Sequence, residues 1–396
     1  MDATRNPFAP GAGNQPPELA GRDDIVEEAR VSLARLKAGI PDRGHLLLGL
    51  RGVGKTVLLN RINELALNQD FATMVVEARS CGSLVELLVP RLRTILVQLS
   101  RKEQAKDAAR RGLAIVRSFA AAFRVSVGDI GFGVEAAAGS ADSGNLEVDL
   151  PEAFEAVAIA AQASGTGAAI LIDEVQYLTK QELSALIQAV HQMSQRNLPL
   201  VLFGAGLPQL AGLAGDAKSY AERLFRFPRV GPLTPEAAAD AILKPIEKAG
   251  ADITQAALDL IVQQTQGFPY FIQEWGYHAW RSTANSPIRA DDVRASAIEA
   301  RRNLDEAFFN VRFGRLTPRE KDYLRAMATL GAGPSRSGDV AAALGMDVTA
   351  ASSLRTGLIR KGMVYQSDYG MTAYTVPMFD DFMRRIMPGW ISRTEE

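Results

Sequence analysis

A glycine-rich segment near the N-terminus has the residue types and spacing that bind phosphate. Residues 49–56 begin with glycine, continue for four residues and end in Gly-Lys-Thr. In such a loop the glycines let successive backbone N–H groups face phosphate oxygens, and a following helix adds partial positive charge. Lys55 would reach the β- and γ-phosphates of a nucleotide, and the Thr56 hydroxyl would bind Mg²⁺. The residues that we expect to contact the nucleotide are Gly49, Arg51, Gly52, Val53, Gly54, Lys55, Thr56 and Val57.

A pair of acidic residues could supply the rest of that chemistry. Asp173 and Glu174 end the apolar run 168–172, which is short, rich in Ile and Leu, and typical of a strand buried on both faces. Open α/β sheets hold their ligands at the carboxyl ends of such strands. Asp173 can bind Mg²⁺, directly or through water, and Glu174 can polarise the water that attacks the γ-phosphate. Each motif alone is compatible with an ordinary turn, but the two in this order predict a site for ATP and Mg²⁺.

The segments around these motifs predict the elements that position them. The run 45–48 before the loop reads as a buried strand, and 57–62 after it has apolar residues at helical spacing. Strands and helices then alternate as far as Pro232, with helices predicted at 84–99 and 151–163 among them, which implies a doubly wound parallel sheet. Beyond Pro232 strand signals vanish, and helices are predicted at about 235–249, 254–266, 268–282 and 290–310.

The last part of the chain has another pattern. From Leu316 we predict three helices and then a hairpin centred on glycine, between Tyr365 and Tyr374. Three helices followed by a β-wing describe a winged helix, a variant of the helix-turn-helix motif. We therefore divide the chain into an irregular arm (1–18), an α/β nucleotide-binding domain (19–232), a helical lid (233–315) and a winged helix (316–396).

Residues 101–150 form an insertion in the nucleotide-binding domain. A basic-faced helix is predicted at 102–123, a β-hairpin at 124–134 because the residues alternate in character, and a loop at 136–145. The insertion either has no direct functional role or presents its hairpin to DNA or to a neighbouring subunit.

Composition excludes several classes of function. The 396 residues carry a net charge of −1, so no global basic field points to nucleic acid, although local basic faces remain. Cys81 is the only cysteine and there are three histidines, which favours a reducing compartment and argues against a zinc cluster. The N-terminus does not resemble a signal peptide, and the most apolar stretch, 156–172, is interrupted by polar residues and glycine. We expect a cytoplasmic protein without a membrane span.

Together these motifs resemble those of the AAA+ ATPases, specifically the origin-recognition-like branch and the transposition-helper and secretion-type ATPases near it. The resemblance implies a P-loop AAA+ sheet sandwiched by helices, an α-helical lid and a winged-helix domain. It also implies a homo-oligomer that binds ATP and Mg²⁺ at a subunit interface and hydrolyses ATP.

The resemblance carries further roles to particular residues. Gly21 and Arg22 match the box that lines the adenine pocket, although an ordinary helix start with a nearby arginine explains them equally well. Pro269 lies where a second sensor is expected. Arg223, with Arg226 as the alternative, matches the arginine finger that neutralises charge on the γ-phosphate of the next subunit; a surface salt bridge is the competing interpretation.

Two departures from the family pattern concern the sensors. Residues 204–206 are Gly-Ala-Gly where a polar sensor is common, and residues 267–270 contain no arginine. Hydrolysis is therefore expected to be slow, with the protein acting more as a nucleotide-governed switch than as a motor.

The third helix of a winged helix is the usual reader of DNA. Its polar residues suit contacts with phosphates and base edges, although its basic content is thin. One hypothesis is an ATP-dependent switch on double-stranded DNA. Another is a signalling or defence ATPase whose winged helix binds a protein partner, and a small-molecule kinase is disfavoured by the domain order. The candidate DNA contacts are Ser352, Arg355, Thr356, Arg360 and Lys361.

Overall fold

The computed structural model describes residues 1–11, 13–79, 82–125 and 133–392. The chain divides into two compact units, which are described separately below. The nucleotide-binding unit contains Arg22–Leu48 and Lys55–Arg229, and the C-terminal unit contains Met1–Gly21, Gly49–Gly54 and Val230–Glu396.

A five-stranded parallel sheet is the centre of the nucleotide-binding unit. Its order is β2-β3-β4-β1-β5, and β1, β3 and β4 are buried along their whole length, as strands covered on both faces must be. The expectation of a P-loop AAA+ fold, with a parallel sheet sandwiched by helices, is confirmed. The strands are β1 (Gly44–Leu48), β2 (Ala72–Glu77), β3 (Ala168–Asp173), β4 (Leu200–Gly206) and β5 (Phe225–Arg226).

Helices pack against this sheet and share one apolar core with it. The helix that follows the phosphate loop, α2, begins at Lys55, so the loop leads directly into a helix N-terminus. The helices are α1 (Asp23–Lys37), α2 (Lys55–Asn68), α3 (Leu84–Leu99), α4 (Lys106–Ala122), α5 (Leu146–Ala163), α6 (Lys180–Gln195), α7 (Leu210–Ala217) and α8 (Ala221–Leu224). Among the described residues, none of the helices is both long enough and apolar enough to cross a membrane.

The insertion contributes α4 to this core, with its apolar face buried against α3 and α5. The predicted loop after it contains turns and no regular element as far as Asn145, whose side chain caps α5. The predicted hairpin at 124–134 lies largely outside the described residues.

Helix α5 passes through a proline. A proline inside a helix leaves the carbonyl four residues earlier without its usual donor. Here that carbonyl belongs to Glu147, and it accepts a hydrogen bond of 3.0 Å from the Gln188 side chain on α6. The helix therefore continues through Pro151 because a neighbouring helix supplies the missing donor.

The C-terminal unit begins with a helical region. Thr234 caps its first helix and proline occupies the first helical position, as the sequence indicates. A π-helical segment, Leu304–Asn310, follows the fourth helix. The helices are α9 (Pro235–Lys248), α10 (Gln255–Thr265), α11 (Pro269–Ser282), α12 (Ala290–Asn303) and α13 (Val311–Phe313).

The rest of this unit combines helices with a small antiparallel sheet. Its strand order is β6-β8-β7, and Gly370, with a φ of 69°, makes the tight turn of the hairpin. The elements are α14 (Pro318–Leu330), β6 (Ser335–Arg336), α15 (Ser337–Ala343), α16 (Val348–Arg360), β7 (Val364–Asp368), β8 (Met371–Tyr374) and α17 (Phe379–Ile386).

The N-terminal arm packs against the helical region of the same unit. Phe8 is buried, with its ring over Gly276 of α11, and the Trp280 indole N–H donates to the Asp2 carbonyl at 2.8 Å. Arg5 donates to the Ala249 carbonyl at 2.7 Å. Among its described residues the arm has one short 3-10 turn, Ala3–Arg5, so packing rather than secondary structure fixes the course of that part.

Candidate nucleotide site

The start of α2 and the end of β3 meet in the nucleotide-binding unit. The Thr56 hydroxyl donates to Asp173 Oδ2 at 2.6 Å, although the two residues are 117 positions apart. The Glu174 N–H donates to the other carboxylate oxygen, Oδ1, at 2.8 Å. Lys55, the first residue of α2, is buried, while Thr56 next to it is exposed. Thr56 and Asp173, one residue from each of the two motifs, therefore meet within the nucleotide-binding unit.

Asp173 lies in an environment that disfavours its charge. Only 7 % of the residue is exposed, and burial raises the pKa of its carboxyl group against the opposing effects of the Thr56 and Glu174 hydrogen bonds and of the charge on Lys55. Such a carboxylate gains from a bound cation.

The residues present fit Mg²⁺. This ion prefers oxygen ligands in octahedral geometry at about 2.0–2.1 Å, which sets neighbouring ligand oxygens about 2.9 Å apart. Thr56 Oγ1 and Asp173 Oδ2 are already within 0.3 Å of that separation. Thr56 and Asp173 are therefore the residues that would hold the ion.

Glu174 follows Asp173 in an unusual backbone conformation. Its φ of 55° and ψ of 37° lie in the left-handed region, which is sparsely populated by residues other than glycine. A 3-10 turn, Val175–Tyr177, begins immediately after it. Gln176 on that turn donates its side-chain amide to Glu174 Oε2 and accepts from the Leu207 N–H at 3.0 Å.

The first part of the phosphate loop, Gly49–Gly54, belongs to the C-terminal unit. Gly52 and Gly54 have φ values of 80° and 91°, which favour glycine. The Gly52 carbonyl accepts from the Tyr270 N–H at 3.2 Å, and the Arg51 N–H donates to the Thr375 carbonyl at 2.9 Å. The loop backbone is thus held by α11 and by the segment that follows β8.

The other predicted nucleotide contacts have the following positions. Val53 is buried and Val57 is half-buried on α2. Gly21 has a φ of 64° beside Ala237. Arg22 directly precedes α1, and burial lowers the pKa of its guanidinium group. Pro269 is the first residue of α11. The roles of Gly21 and Arg22 at the adenine, and of Pro269 as a nucleotide contact at the second-sensor position, remain predictions.

The two candidate arginine fingers differ in their surroundings. Arg226 donates to the Ser32 hydroxyl at 3.1 Å and lies 3.4 Å from an Asp42 carboxylate oxygen, so it is held within its own unit. Arg223 is exposed on α8, and its side chain has no hydrogen bond or ion pair within the described part of the chain. Arg223 therefore stays the preferred candidate of the two for an arginine finger, and that role remains a prediction.

The candidate DNA contacts on α16 are not equally available. Lys361 forms an ion pair of 2.6 Å with Glu320, and Arg355 is half-buried and donates to the Ser337 hydroxyl at 2.8 Å. The Thr356 hydroxyl donates back to the carbonyl of half-buried Ser352 at 2.9 Å. Arg360 is exposed, with no ion pair among the described residues.

Sequence reasoning did not find Gln176 or Tyr270. Their contacts depend on a left-handed residue and on backbone groups distant in the sequence, and no spacing rule points to either. A polar residue on the turn directly after the acidic pair was the only available signal for Gln176.

Comparisons with known proteins agree with this geometry. Residues 18–203 match a family model described as an AAA ATPase domain, and residues 306–383 match a family described only as a domain of unknown function. No curated protein matches the sequence.

Several solved structures are similar to the chain. A walker-type ATPase of Pyrococcus abyssi is 17% identical, with a TM-score of 0.59 over 92% of this chain and 96% of the other. The ORC1 protein of Aeropyrum pernix, solved in complex with DNA, is 16% identical at a TM-score of 0.47 over 96% of each chain. The RuvB Holliday junction branch migration motor of Thermotoga maritima is 16% identical at 0.45, over 89% and 92%.

The fold and the assembled motifs define the class to which this molecule is similar, the P-loop ATPases of the AAA+ type. The matched residues 18–203 include Lys55, Thr56, Asp173 and Glu174.

Proposed function

We propose that this protein is an ATP-hydrolysing, Mg²⁺-dependent AAA+ switch. The observation that carries the proposal is the 2.6 Å hydrogen bond between Thr56 and Asp173. It joins the residue that ends the phosphate loop to the carboxylate that ends β3, as a shared metal site requires. A chance glycine-rich turn has no reason to place a hydroxyl against that buried carboxylate.

Each residue of the site has a distinct chemical task. The loop N–H groups and the Lys55 ammonium hold the phosphates. Mg²⁺, when bound at Thr56 and Asp173, neutralises charge that develops on the phosphate oxygens. Glu174 orients and polarises the attacking water as a general base. Arg223 of a neighbouring subunit stabilises the transition-state charge, so hydrolysis depends on assembly.

Two substitutions separate binding from chemistry. Lys55→Ala should weaken ATP binding by roughly 10- to 100-fold, because a charged contact contributes about 1.5–3 kcal/mol. Glu174→Gln should bind ATP normally and lower kcat by about 10²–10⁴, since an amide cannot act as the base. Nucleotide titration and phosphate release measure the two effects, with exposed Lys102→Ala and Glu135→Gln as controls. Unchanged affinity in Lys55→Ala would reject the nucleotide site, and unchanged turnover in Glu174→Gln would reject the base.

We further propose that residues 316–396 form a winged helix that contacts double-stranded DNA. Helices α14, α15 and α16 together with the β6-β8-β7 sheet support the winged helix. The segment has ten basic and nine acidic residues, so any contact is local, and exposed Arg360 is its best-placed member.

In the full chain, Arg360→Ala should weaken duplex binding and flatten its salt dependence by about one counterion. Lys361→Ala, which removes a cation already paired with Glu320, should not. Equal salt slopes in wild type and Arg360→Ala would reject this contact.

A second candidate function is a signalling ATPase in which the C-terminal region binds a protein partner. The hydrogen bond from the Arg51 N–H to the Thr375 carbonyl favours it, because the segment after β8 then senses the loop that holds phosphate. A partner that binds more tightly with one nucleotide than with another, in the absence of DNA, would distinguish this function from the first.

A further inference from the structure

We propose that Gln176 is a positioning residue for Glu174 and takes the place of the polar sensor that the sequence lacks after β4. The inference rests on the proposed ATP hydrolysis. It assigns the task of aiming the catalytic carboxylate to an amide on the turn after β3, rather than to a residue of β4 itself.

The partners of the Gln176 amide fix its orientation. The Leu207 N–H can only donate, so the group that faces it at 3.0 Å must be the amide oxygen. The amide nitrogen therefore faces Glu174 Oε2, to which it donates. A flipped amide would place an N–H against an N–H and one oxygen against another. Gln176 consequently links the carboxylate of Glu174 to the backbone just beyond the end of β4.

Gly206 provides the space that this link needs. A Cβ atom added at Gly206 would lie 2.7 Å from the Gln176 amide oxygen and 2.8 Å from Leu210 Cδ2. A side chain at the end of β4 would therefore displace the amide. The glycine found where a polar sensor was expected is thus the feature that admits a substitute for it.

The backbone at Glu174 explains why a positioning group is useful. Glu174 lies one residue beyond β3 in a left-handed conformation. The pleat of the strand therefore does not set the direction of its side chain. A half-buried glutamate without a fixed partner would occupy several rotamers, and a catalytic group displaced by about 1 Å loses on the order of 10²-fold in rate. A hydrogen bond from an amide that is itself held by the Leu207 N–H, just beyond the end of β4, restricts that freedom.

The test compares turnover with nucleotide affinity in the full chain. Gln176→Ala should lower kcat by about 10- to 100-fold and leave ATP affinity within about twofold, because the amide does not contact the phosphates in this assignment. Gln176→Glu should lose as much, since it keeps the shape but cannot donate and places a second carboxylate beside the first. Gly206→Ala should reproduce the loss by displacing the amide. Gln195→Ala, at the exposed end of α6, is the matched control.

A double variant distinguishes positioning from general damage to the fold. In the Glu174→Gln background, Gln176→Ala should cause little further loss, because residues that act through one group are not additive. A further loss of tenfold or more would overturn the positioning role, and so would full turnover in Gln176→Ala. If wild type itself hydrolyses no ATP across the range of protein concentration in which it assembles, the proposed function fails and this inference with it.

Discussion

At the scale of one residue, the environment of Asp173 disfavours the charge of its own side chain. Its burial raises the pKa of its carboxyl group, so the charged form is less favourable in the folded protein than in the unfolded chain. Thr56 and the Glu174 N–H compensate only part of that cost. A carboxylate oxygen at this position is what the Mg²⁺ ion proposed to bind there would require.

We predict that Asp173→Asn stabilises the protein in the absence of ligands at pH 7, by about 0.5–2 kcal/mol. Because the pKa of Asp173 is raised in the folded state, the free energy of unfolding of wild type falls as the pH rises through that pKa. The stability gained by Asp173→Asn should therefore shrink as the pH is lowered. The same variant should also lose the additional stabilisation of the protein that Mg²⁺ provides when ATP is bound. Thermal unfolding with and without Mg²⁺ and ATP measures both effects. A lower melting temperature than wild type at pH 7 would contradict the prediction.

The sequence predicted the residues whose type the chemistry dictates. Lys55, Thr56, Asp173 and Glu174 stand at fixed offsets in two short motifs, and the structure brings Thr56 and Asp173 into contact. Gln176 was not predicted, because its contact with Glu174 exists only through a left-handed backbone and the space at Gly206. A sequence pattern does not encode such three-dimensional conditions.

At the scale of elements, a helix with strong apolar periodicity was predicted accurately from the sequence. Elements that depend on a partner elsewhere in the chain were not. Helix α3 was predicted with its observed bounds, Leu84–Leu99, because its apolar residues repeat at helical spacing and Ser83 caps it. Strand β6, only two residues long, was not predicted, because it exists only through pairing with β8. Helix α5 was predicted from Pro151, yet it begins at Leu146 because Gln188 compensates for the proline.

Strand β1 contains a buried histidine that should make stability depend on pH. His45 is fully buried and stacks on Phe203; burial and then Arg226 lower its pKa, against the opposing effects of Glu28 and Asp42. The unfolded chain takes up a proton near pH 6.5 while the folded chain does not. Stability is therefore full above that pH and falls as the pH drops toward the lowered pKa.

We accordingly predict that the melting temperature of wild type falls between pH 7 and pH 5 more steeply than that of His45→Phe. Phenylalanine keeps the aromatic stack on Phe203 but cannot bind a proton. Scanning calorimetry at several pH values compares the two slopes, and parallel slopes would show that another group governs acid sensitivity.

The N-terminal arm should be an integral part of the C-terminal unit. Phe8 is only 2 % exposed and covers Gly276, where a Cβ atom would lie 2.6 Å from the ring. Phe8→Ala should therefore destabilise the unit by about 3–5 kcal/mol, the usual cost of emptying a buried aromatic site. Thermal unfolding measures the loss, with half-exposed Val311→Ala as the control. A loss no larger than that of the control would mean that the arm is not anchored.

At the scale of the whole molecule, the proposed chemistry is incomplete without a second copy. Arg226 is engaged by Ser32 and Asp42, which leaves exposed Arg223 as the candidate to neutralise charge on a neighbour's γ-phosphate. In such an arrangement the rate of ATP hydrolysis would depend on assembly. Specific activity should then rise with protein concentration, and a flat profile across the assembly range would argue for a monomeric enzyme.

Mixing of variants tests this arrangement directly. Arg223→Ala should keep ATP binding and lower kcat on the order of 10³-fold, because the finger acts on transition-state charge. Lys55→Ala should be impaired for a different reason, its weaker binding of ATP, at an ATP concentration that does not saturate it. When the two proteins co-assemble, an intact loop from one can face an intact Arg223 from the other, and ATPase activity should partly return. Arg226→Ala mixed with Lys55→Ala is the matched control and should not show recovery that depends on assembly. Absence of recovery in the Arg223→Ala mixture, under conditions where light scattering shows mixed assemblies, would place Arg223 outside the shared site.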